Sequence, residues 1–342
     1  MSFERYIRQM RYPPFGEAGQ KRLQAGRALL VGCGALGSVL ANTLARAGVG
    51  KLRIVDRDFL ELNNLQRQVL YDEADVAAGL PKAIAAANKL RQINSEIEIE
   101  PLVADVTPAN IEALCAGVDV ICDGTDNFET RFLINDAALK WQIPWVYGGC
   151  IGAEGQALTI LPGETACLRC LMSEAPPPGT TPTCDTAGIL GPIINVIASI
   201  QACEALKILS GNRPAVSRKL TVIELWDNRI RQVSLDLVRE QARCAETHQH
   251  ELPWLTGQRG SHSAVLCGRN AVQLIHPRGA QLSLDDLAQK LAGLGAIQRN
   301  AFLLRFTAAP YVLTVFPDGR AIIGGTDDIA VAKTVYAKYI GS

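Results

Sequence analysis

Three glycines, Gly32, Gly34 and Gly37, follow an apolar run directly in the stretch LLVGCGALGS. At a strand-to-helix junction, G-x-G-x-x-G lets the backbone turn tightly, approach a phosphate closely and pack the helix against the strand, with the phosphate on the positive helix N-terminus. Ala35 keeps the side chain short where that phosphate must approach. Asp56 ends the next β-branched run, 19 residues after Gly37, where an acid typically bonds a ribose hydroxyl. Together these residues describe a nucleotide site. They do not by themselves choose the nucleotide. Hydride transfer usually needs a proton donor near the substrate, most often His or a Tyr and Lys pair. All four histidines, His248, His250, His262 and His276, lie beyond residue 247, which weighs against a dehydrogenase.

The second chemical signal is the thiols. Cys167 and Cys170 in CLRC have the spacing of half a zinc site or of a redox pair. Cys184 lies between the proline-rich SEAPPPGTTPTC and a long apolar helix read over 187–209. A helix N-terminus stabilises a thiolate, so this thiol is a candidate nucleophile. Cys33, Cys115, Cys122, Cys150 and Cys203 sit in apolar runs and read as small buried residues, and Cys267 reads as structural.

The elements that must position these residues alternate along the first half of the chain. Runs at 28–33, 52–56, 97–103, 118–122 and 144–147 read as strands, and 36–47, 80–93, 108–116 and 129–141 as helices. Alternation of this kind predicts an α/β fold with a doubly wound, Rossmann-like, mostly parallel sheet. After Gly149 the segments EGQALTILPG and KLTVIELWDNRIRQVSL read as antiparallel strands that extend the sheet, the second folding back at Asp227-Asn228. Residues 241–263 are polar and turn-rich and read as a linker between a domain over 1–240 and a small α+β domain over 264–342. In that tail the pattern reads strand, helix, three strands, helix, with a tight turn at FPDGR.

Bulk properties set limits on partners. The 342 residues carry 34 basic and 34 acidic side chains and are 48% hydrophobic, so net charge recruits neither nucleic acid nor an anionic membrane. The N-terminus MSFERYIRQMRY is too polar for a signal peptide, and no uncharged apolar run of membrane-spanning length is present. The expected compartment is the cytoplasm, where ten cysteines are free thiols or metal ligands rather than disulfides.

Five separated motifs then narrow the chemistry: RYIRQM at 5–10, Asp56, N-L-Q-R-Q at 64–68, G-L-P-K at 79–82 and T-D-N at 125–127. In this order they resemble the ThiF/MoeB/HesA branch of the ubiquitin-activating superfamily over residues 1–240. The resemblance implies ATP-dependent adenylation of the C-terminal Gly-Gly carboxylate of a ubiquitin-like sulfur carrier protein, for thiamine, molybdopterin or thiolated-product biosynthesis. It implies that Arg67 and Lys82 hold the triphosphate and that Arg8 reaches in from the second subunit of a homodimer. It further implies that Asp56 binds the ribose, Asn63 and Asn64 the phosphates, and Asp126 a magnesium ion beside Asn127. It also implies a covalent acyl intermediate on Cys184 and admits a cysteine desulfurase or another sulfur donor as partner. The rival readings are a Rossmann-type oxidoreductase and a carrier-binding scaffold without catalysis.

Relatives in that branch complete a four-cysteine zinc site with a second C-x-x-C, which here would begin at Cys244. This chain has Thr247 in its place, with His248 or His250 next along. Three outcomes stay open: a Cys167, Cys170, Cys244 and His248 zinc site, a site that has lost its metal, or a redox pair. The tail YVLTVFPDGRAIIGGTDDIAVAKTVYAKYIG resembles half of a TATA-binding-protein fold, and a docking surface for the carrier, a sulfur donor or the partner subunit is its expected role.

Overall fold

The two faces of strand β1 (Arg27–Val31) show how the first unit is built. Ala28 and Leu30 point into one core and Leu29 and Val31 into another, so a strand apolar on both faces separates two hydrophobic layers. The computed structural model describes residues 3–176, 187–244, 248, 250–259, 263–266, 270–274 and 282–340. Parallel strands β2 (Lys51–Val55), β3 (Glu98–Leu102), β4 (Val120–Asp123) and β5 (Trp145–Ile151) give the order β3-β2-β1-β4-β5. Antiparallel β6 (Glu154–Ile160), β7 (Lys219–Glu224) and β8 (Arg229–Ser234) extend it to eight strands. The doubly wound sheet with an antiparallel extension is thus the observed fold.

Helices Ala35–Ala47, Lys82–Ile93 and Gly191–Leu209 contribute to one core, and Ile111–Cys115, Phe128–Trp141 and Leu168–Leu171 to the other. Gly191–Leu209 is long and apolar enough to cross a membrane, yet it carries Glu204 and Lys207 and packs Ile193, Ile194 and Ile197 into the first core. It also carries a fully buried Gln201, whose Nε2 donates to Asp123 O at 2.9 Å and Val146 O at 3.1 Å. These bonds bridge β4 and β5, which pair at Ile121–Trp145 and Cys122–Val146.

The stretch expected to be a linker contributes to the core in part. Trp254 is 7% exposed, lies 5.2 Å from the Phe132 ring, and its backbone N–H donates to Asp136 Oδ2 at 2.9 Å. Leu255 N donates to the same oxygen at 3.3 Å. Burial pushes the Asp136 carboxyl up to about 6, against the downward pull of these donors. Polar composition concealed a single aromatic anchor, so residues 250–259 belong to the first unit.

The second unit holds a six-stranded antiparallel sheet in the order β11-β12-β13-β14-β10-β9. Its strands are β9 (Ser263–Leu266), β10 (Ala271–Leu274), β11 (Ala296–Arg299), β12 (Leu304–Ala308), β13 (Tyr311–Val315) and β14 (Ala321–Gly324). Val272 and Leu274, Leu304 and Phe306, Leu313 and Val315, and Ala321 and Ile323 alternate into one core with helices Leu284–Leu291 and Ile329–Tyr339. The segment AVLCGRNAVQLI contains two strands rather than one. β11 carries one core-packed apolar residue, Ile297, too little for an alternating signal in a short and largely exposed edge strand.

Replacing Trp254 by Ala is expected to lower the unfolding free energy by about 3 kcal/mol. Trp226→Ala, at a residue 77% exposed, is expected to change it by less than about 0.5 kcal/mol. Urea denaturation of the two variants checks both.

Candidate active site

The carboxyl ends of β1, β2 and β4 carry most of the residues expected to bind nucleotide. Gly32 turns the chain out of β1 at φ +82°, with its N–H bonded to Val55 O at 2.8 Å. A Cβ on Gly37 would lie 2.1 Å from the Gly32 carbonyl oxygen, and one on Gly124 2.3 Å from the same atom. These two glycines are required by the protein's own packing. Gly34 differs, because a Cβ there would meet nothing nearer than Gln68 Nε2 at 3.8 Å. As the N-cap of helix Ala35–Ala47, Gly34 leaves open space at a positive helix end, a cradle that suits a phosphate.

Asp56 ties this loop to β2. Its Oδ2 accepts from Cys33 N at 2.6 Å and its Oδ1 from Asp58 N at 2.7 Å. Burial pushes the Asp56 carboxyl up, and the nearby Lys82 ammonium pulls it down. Each oxygen keeps a second lone pair with which to meet a ribose hydroxyl. Lys82 begins helix Lys82–Ile93, is 3% exposed, and its Nζ contacts Asp58 Oδ2 at 3.1 Å. Tyr71 locks the two segments together, its single OH proton shared between Cys33 O at 2.6 Å and the more distant Lys82 O at 3.2 Å.

After β4, residues 125–127 complete the rim. Asn127 is the N-cap of helix Phe128–Trp141, its Oδ1 accepting from Glu129 N at 2.8 Å and Thr130 N at 3.4 Å. Asp126 is exposed beside two arginines that the sequence reading passed over. Burial works against the charge of Arg57, but Asp105, Asp58, Asp126 and Asp56 outweigh it and raise its pKa. Arg131, 6% exposed, pairs with Asp123 at 3.2 Å and donates to Thr125 O at 2.6 Å and Gly148 O at 2.9 Å. Asp58 was also missed as the partner of Lys82. Its only signal was the spacing D-x-D in DRDF.

Asn64 is buried and spends its side chain on its own turn, accepting from Glu61 N at 3.1 Å and donating to Asn63 Oδ1 at 3.0 Å. Arg67 is partly exposed, and its Nη1 donates to Asn63 O at 2.8 Å. Arg8 is exposed on Ile7–Met10, a segment anchored elsewhere. Asn94 Nδ2 donates to Tyr6 OH at 2.8 Å and Gln9 Nε2 to Ala47 O at 3.0 Å. Those anchors lie at the C-terminal ends of helices Lys82–Ile93 and Ala35–Ala47, whose N-termini form the site. At 1.5 Å per residue that is roughly 18 Å away. Cys184 lies outside the described residues.

A second cluster forms on the other face of the sheet. The ligand atoms of Cys167, Cys170, Cys244 and His248 all lie within 4.8 Å of one another. Cys167 Sγ is 3.8 Å from Cys170 Sγ, and His248 Nδ1 is 3.3 Å from Cys167 and 3.6 Å from Cys170. Two sulfurs each about 2.3 Å from a tetrahedral ion lie about 3.8 Å apart, so the cluster fits a four-coordinate metal. Hydrogen bonds from Cys167 and then Cys170 favour the Cys244 thiolate. His250 is not in the cluster, and Thr247 is outside the described residues. Asn135 on helix Phe128–Trp141 braces it, accepting from Leu168 N at 2.8 Å.

Comparison with known proteins gives these geometries a context. The family model described as "ThiF family" matches residues 6–245. The Bacillus subtilis protein named sulfur carrier protein ThiS adenylyltransferase is 43% identical over 338 residues, 98% of this chain and 99% of its own. The Haloferax volcanii SAMP-activating enzyme E1 is 42% identical over 224 residues, 66% of this chain and 82% of its own. Among solved structures, Escherichia coli MccB with ATP superposes with a TM-score of 0.58 at 22% identity, covering 68% of this chain and 71% of that one. That likeness bears on the fold.

The two kinds of glycine should separate experimentally. Gly37→Ala is expected to lower the melting temperature by several degrees, about 2 kcal/mol of overpacking. Gly34→Ala is expected to leave melting unchanged and to weaken nucleotide binding, measured by calorimetric titration.

Proposed function

The chain belongs to the ThiF family, and from that premise we propose that it adenylates the C-terminal Gly-Gly carboxylate of a ubiquitin-like sulfur carrier with ATP. The observation that carries this reading is that the open Gly34 cradle, Asp56, the buried Lys82 and residues 125–127 are tied together where β1, β2 and β4 end. Its support from sequence is the full-length similarity to a ThiS adenylyltransferase.

The reaction sets a carboxylate against the α-phosphate, one anion against another, with pyrophosphate leaving. Cations held in place before the reaction are therefore the main requirement. Lys82 meets it by burial: Asp58 holds its Nζ and Pro81 caps its helix, so the ammonium is fixed before substrate arrives. Arg67, partly exposed and held by Asn63 O, is the proposed second cation. Asp56 fixes the loop and receives the ribose. Asp126 would hold magnesium, which neutralises charge on the leaving pyrophosphate. Arg131 and Asn127 keep the Asp126 loop in place from below.

Arg8 belongs to this reading only as a residue of a second subunit. Its segment is anchored far from its own crevice, so in a homodimer it serves the partner's site. Cys184 is the proposed acceptor of the activated carrier, with a sulfur donor completing the transfer. The second unit is the proposed docking surface. The Cys167, Cys170, Cys244 and His248 cluster is proposed to bind zinc, which would staple Cys244 and His248 to helix Leu168–Leu171.

Labelled pyrophosphate exchange into ATP tests the activity. Exchange is expected only with a carrier ending in Gly-Gly, and Lys82→Ala is expected to slow it roughly 100-fold, about 3 kcal/mol. Exchange without a carrier, or none with any, overturns the reading. Mixing Arg8→Ala with Lys82→Ala protein is expected to raise exchange well above what either shows alone. Metal analysis is expected to find one zinc per chain, lost in His248→Ala together with thermal stability.

A further inference from the structure

Gln68 ends the N-L-Q-R-Q run and is 3% exposed. Its backbone is committed, with N donating to Asn64 O at 3.0 Å and O accepting from Tyr71 N at 3.3 Å. The carboxamide is not. Among the described residues its Oε1 is buried and accepts no hydrogen bond. Its Nε2 is the nearest atom from outside the residues flanking Gly34 to the position a Gly34 Cβ would take, 3.8 Å away.

A carboxamide has nearly the same shape either way round, so its orientation is set by its neighbours. Here the oxygen is turned inward, at the cost of an unpaired buried acceptor. The NH2 is turned toward the cradle. That arrangement becomes favourable when an acceptor occupies the space over Gly34. The positive end of helix Ala35–Ala47 selects an anionic acceptor there.

We propose that Gln68 contacts the substrate, its Nε2–H donating to a phosphate oxygen of the nucleotide over Gly34. The inference rests on the ATP reading above and adds a residue to it. Unlike Arg67 and Lys82, Gln68 brings no charge. It registers the position of the phosphate against the glycine loop, which lines up the α-phosphate for attack.

Gln68→Met and Gln68→Glu in the full-length chain provide the test, using melting temperature, calorimetric binding of ATP and of adenosine, and pyrophosphate exchange. Met removes an unpaired buried polar atom at similar length, so melting is expected to stay level or rise. Its ATP dissociation constant is expected to increase about 10- to 100-fold, that of adenosine to stay level. Glu places a carboxylate against the phosphate and is expected to weaken ATP by about 100-fold or more, again sparing adenosine. Unchanged ATP affinity in Gln68→Met overturns the proposal, as does equal weakening of ATP and adenosine. If Gln68→Glu does not fold, Gln68→Met decides alone. Wild-type protein that binds no ATP refutes the nucleotide reading and this proposal with it. Wild-type protein that binds ATP beside an unaffected Gln68→Met refutes only the role of Gln68.

Discussion

Where Gly32, Gly37 and Gly124 meet, backbone packs directly on backbone, with no room for a Cβ at Gly37 or Gly124. This contact holds the end of β1, the start of helix Ala35–Ala47 and the end of β4 together at the switch in strand order. Everything chemical hangs from it. Asp56 reaches the loop through Cys33 N, Lys82 reaches it through Tyr71, and residues 125–127 leave β4 one residue beyond Gly124. Opening the contact by one methyl group would move all three at once, because interiors at this density do not deform smoothly.

Charge in the crevice follows a consistent logic. Each cation is matched to an acid of the chain itself: buried Lys82 to Asp58, half-buried Arg57 to Asp105, buried Arg131 to Asp123. An unpaired buried charge would cost several kcal/mol. These pairs fix the positions of the cations, and Lys82 in particular is held by Asp58 in the folded chain. The balance also accounts for a neutral residue at the cradle, since a further cation beside Lys82 would need a further acid.

Much of this was legible in the chain because the informative residues are local in sequence. Glycine spacing after an apolar run and an acid at the end of the next strand follow from backbone geometry near the start of the sheet, whereas Lys82 was legible only through the resemblance carried by its G-L-P-K motif. Partners that depend on tertiary packing were not legible. Arg131 is one arginine among many until folding sets it between Asp123, Thr125 and Gly148. Trp254 sits in a polar stretch that reads as linker until Phe132 and Asp136 are beside it. Asn64 and Asn127 are instructive the other way: their side chains shape the turn and the helix cap at the site, work that Asn does well in any loop. His248 was legible because a metal site needs a fourth ligand and Thr247 is not a usual one.

The central claim is that these residues make an acyl adenylate. Intact mass spectrometry tests it most directly, on a Gly-Gly-terminated ubiquitin-like carrier incubated with the enzyme, magnesium and ATP under acidic quench. The account predicts a carrier heavier by one adenylyl group, abolished by removing its terminal glycine. Consumption of ATP with release of orthophosphate and a carrier of unchanged mass would contradict it.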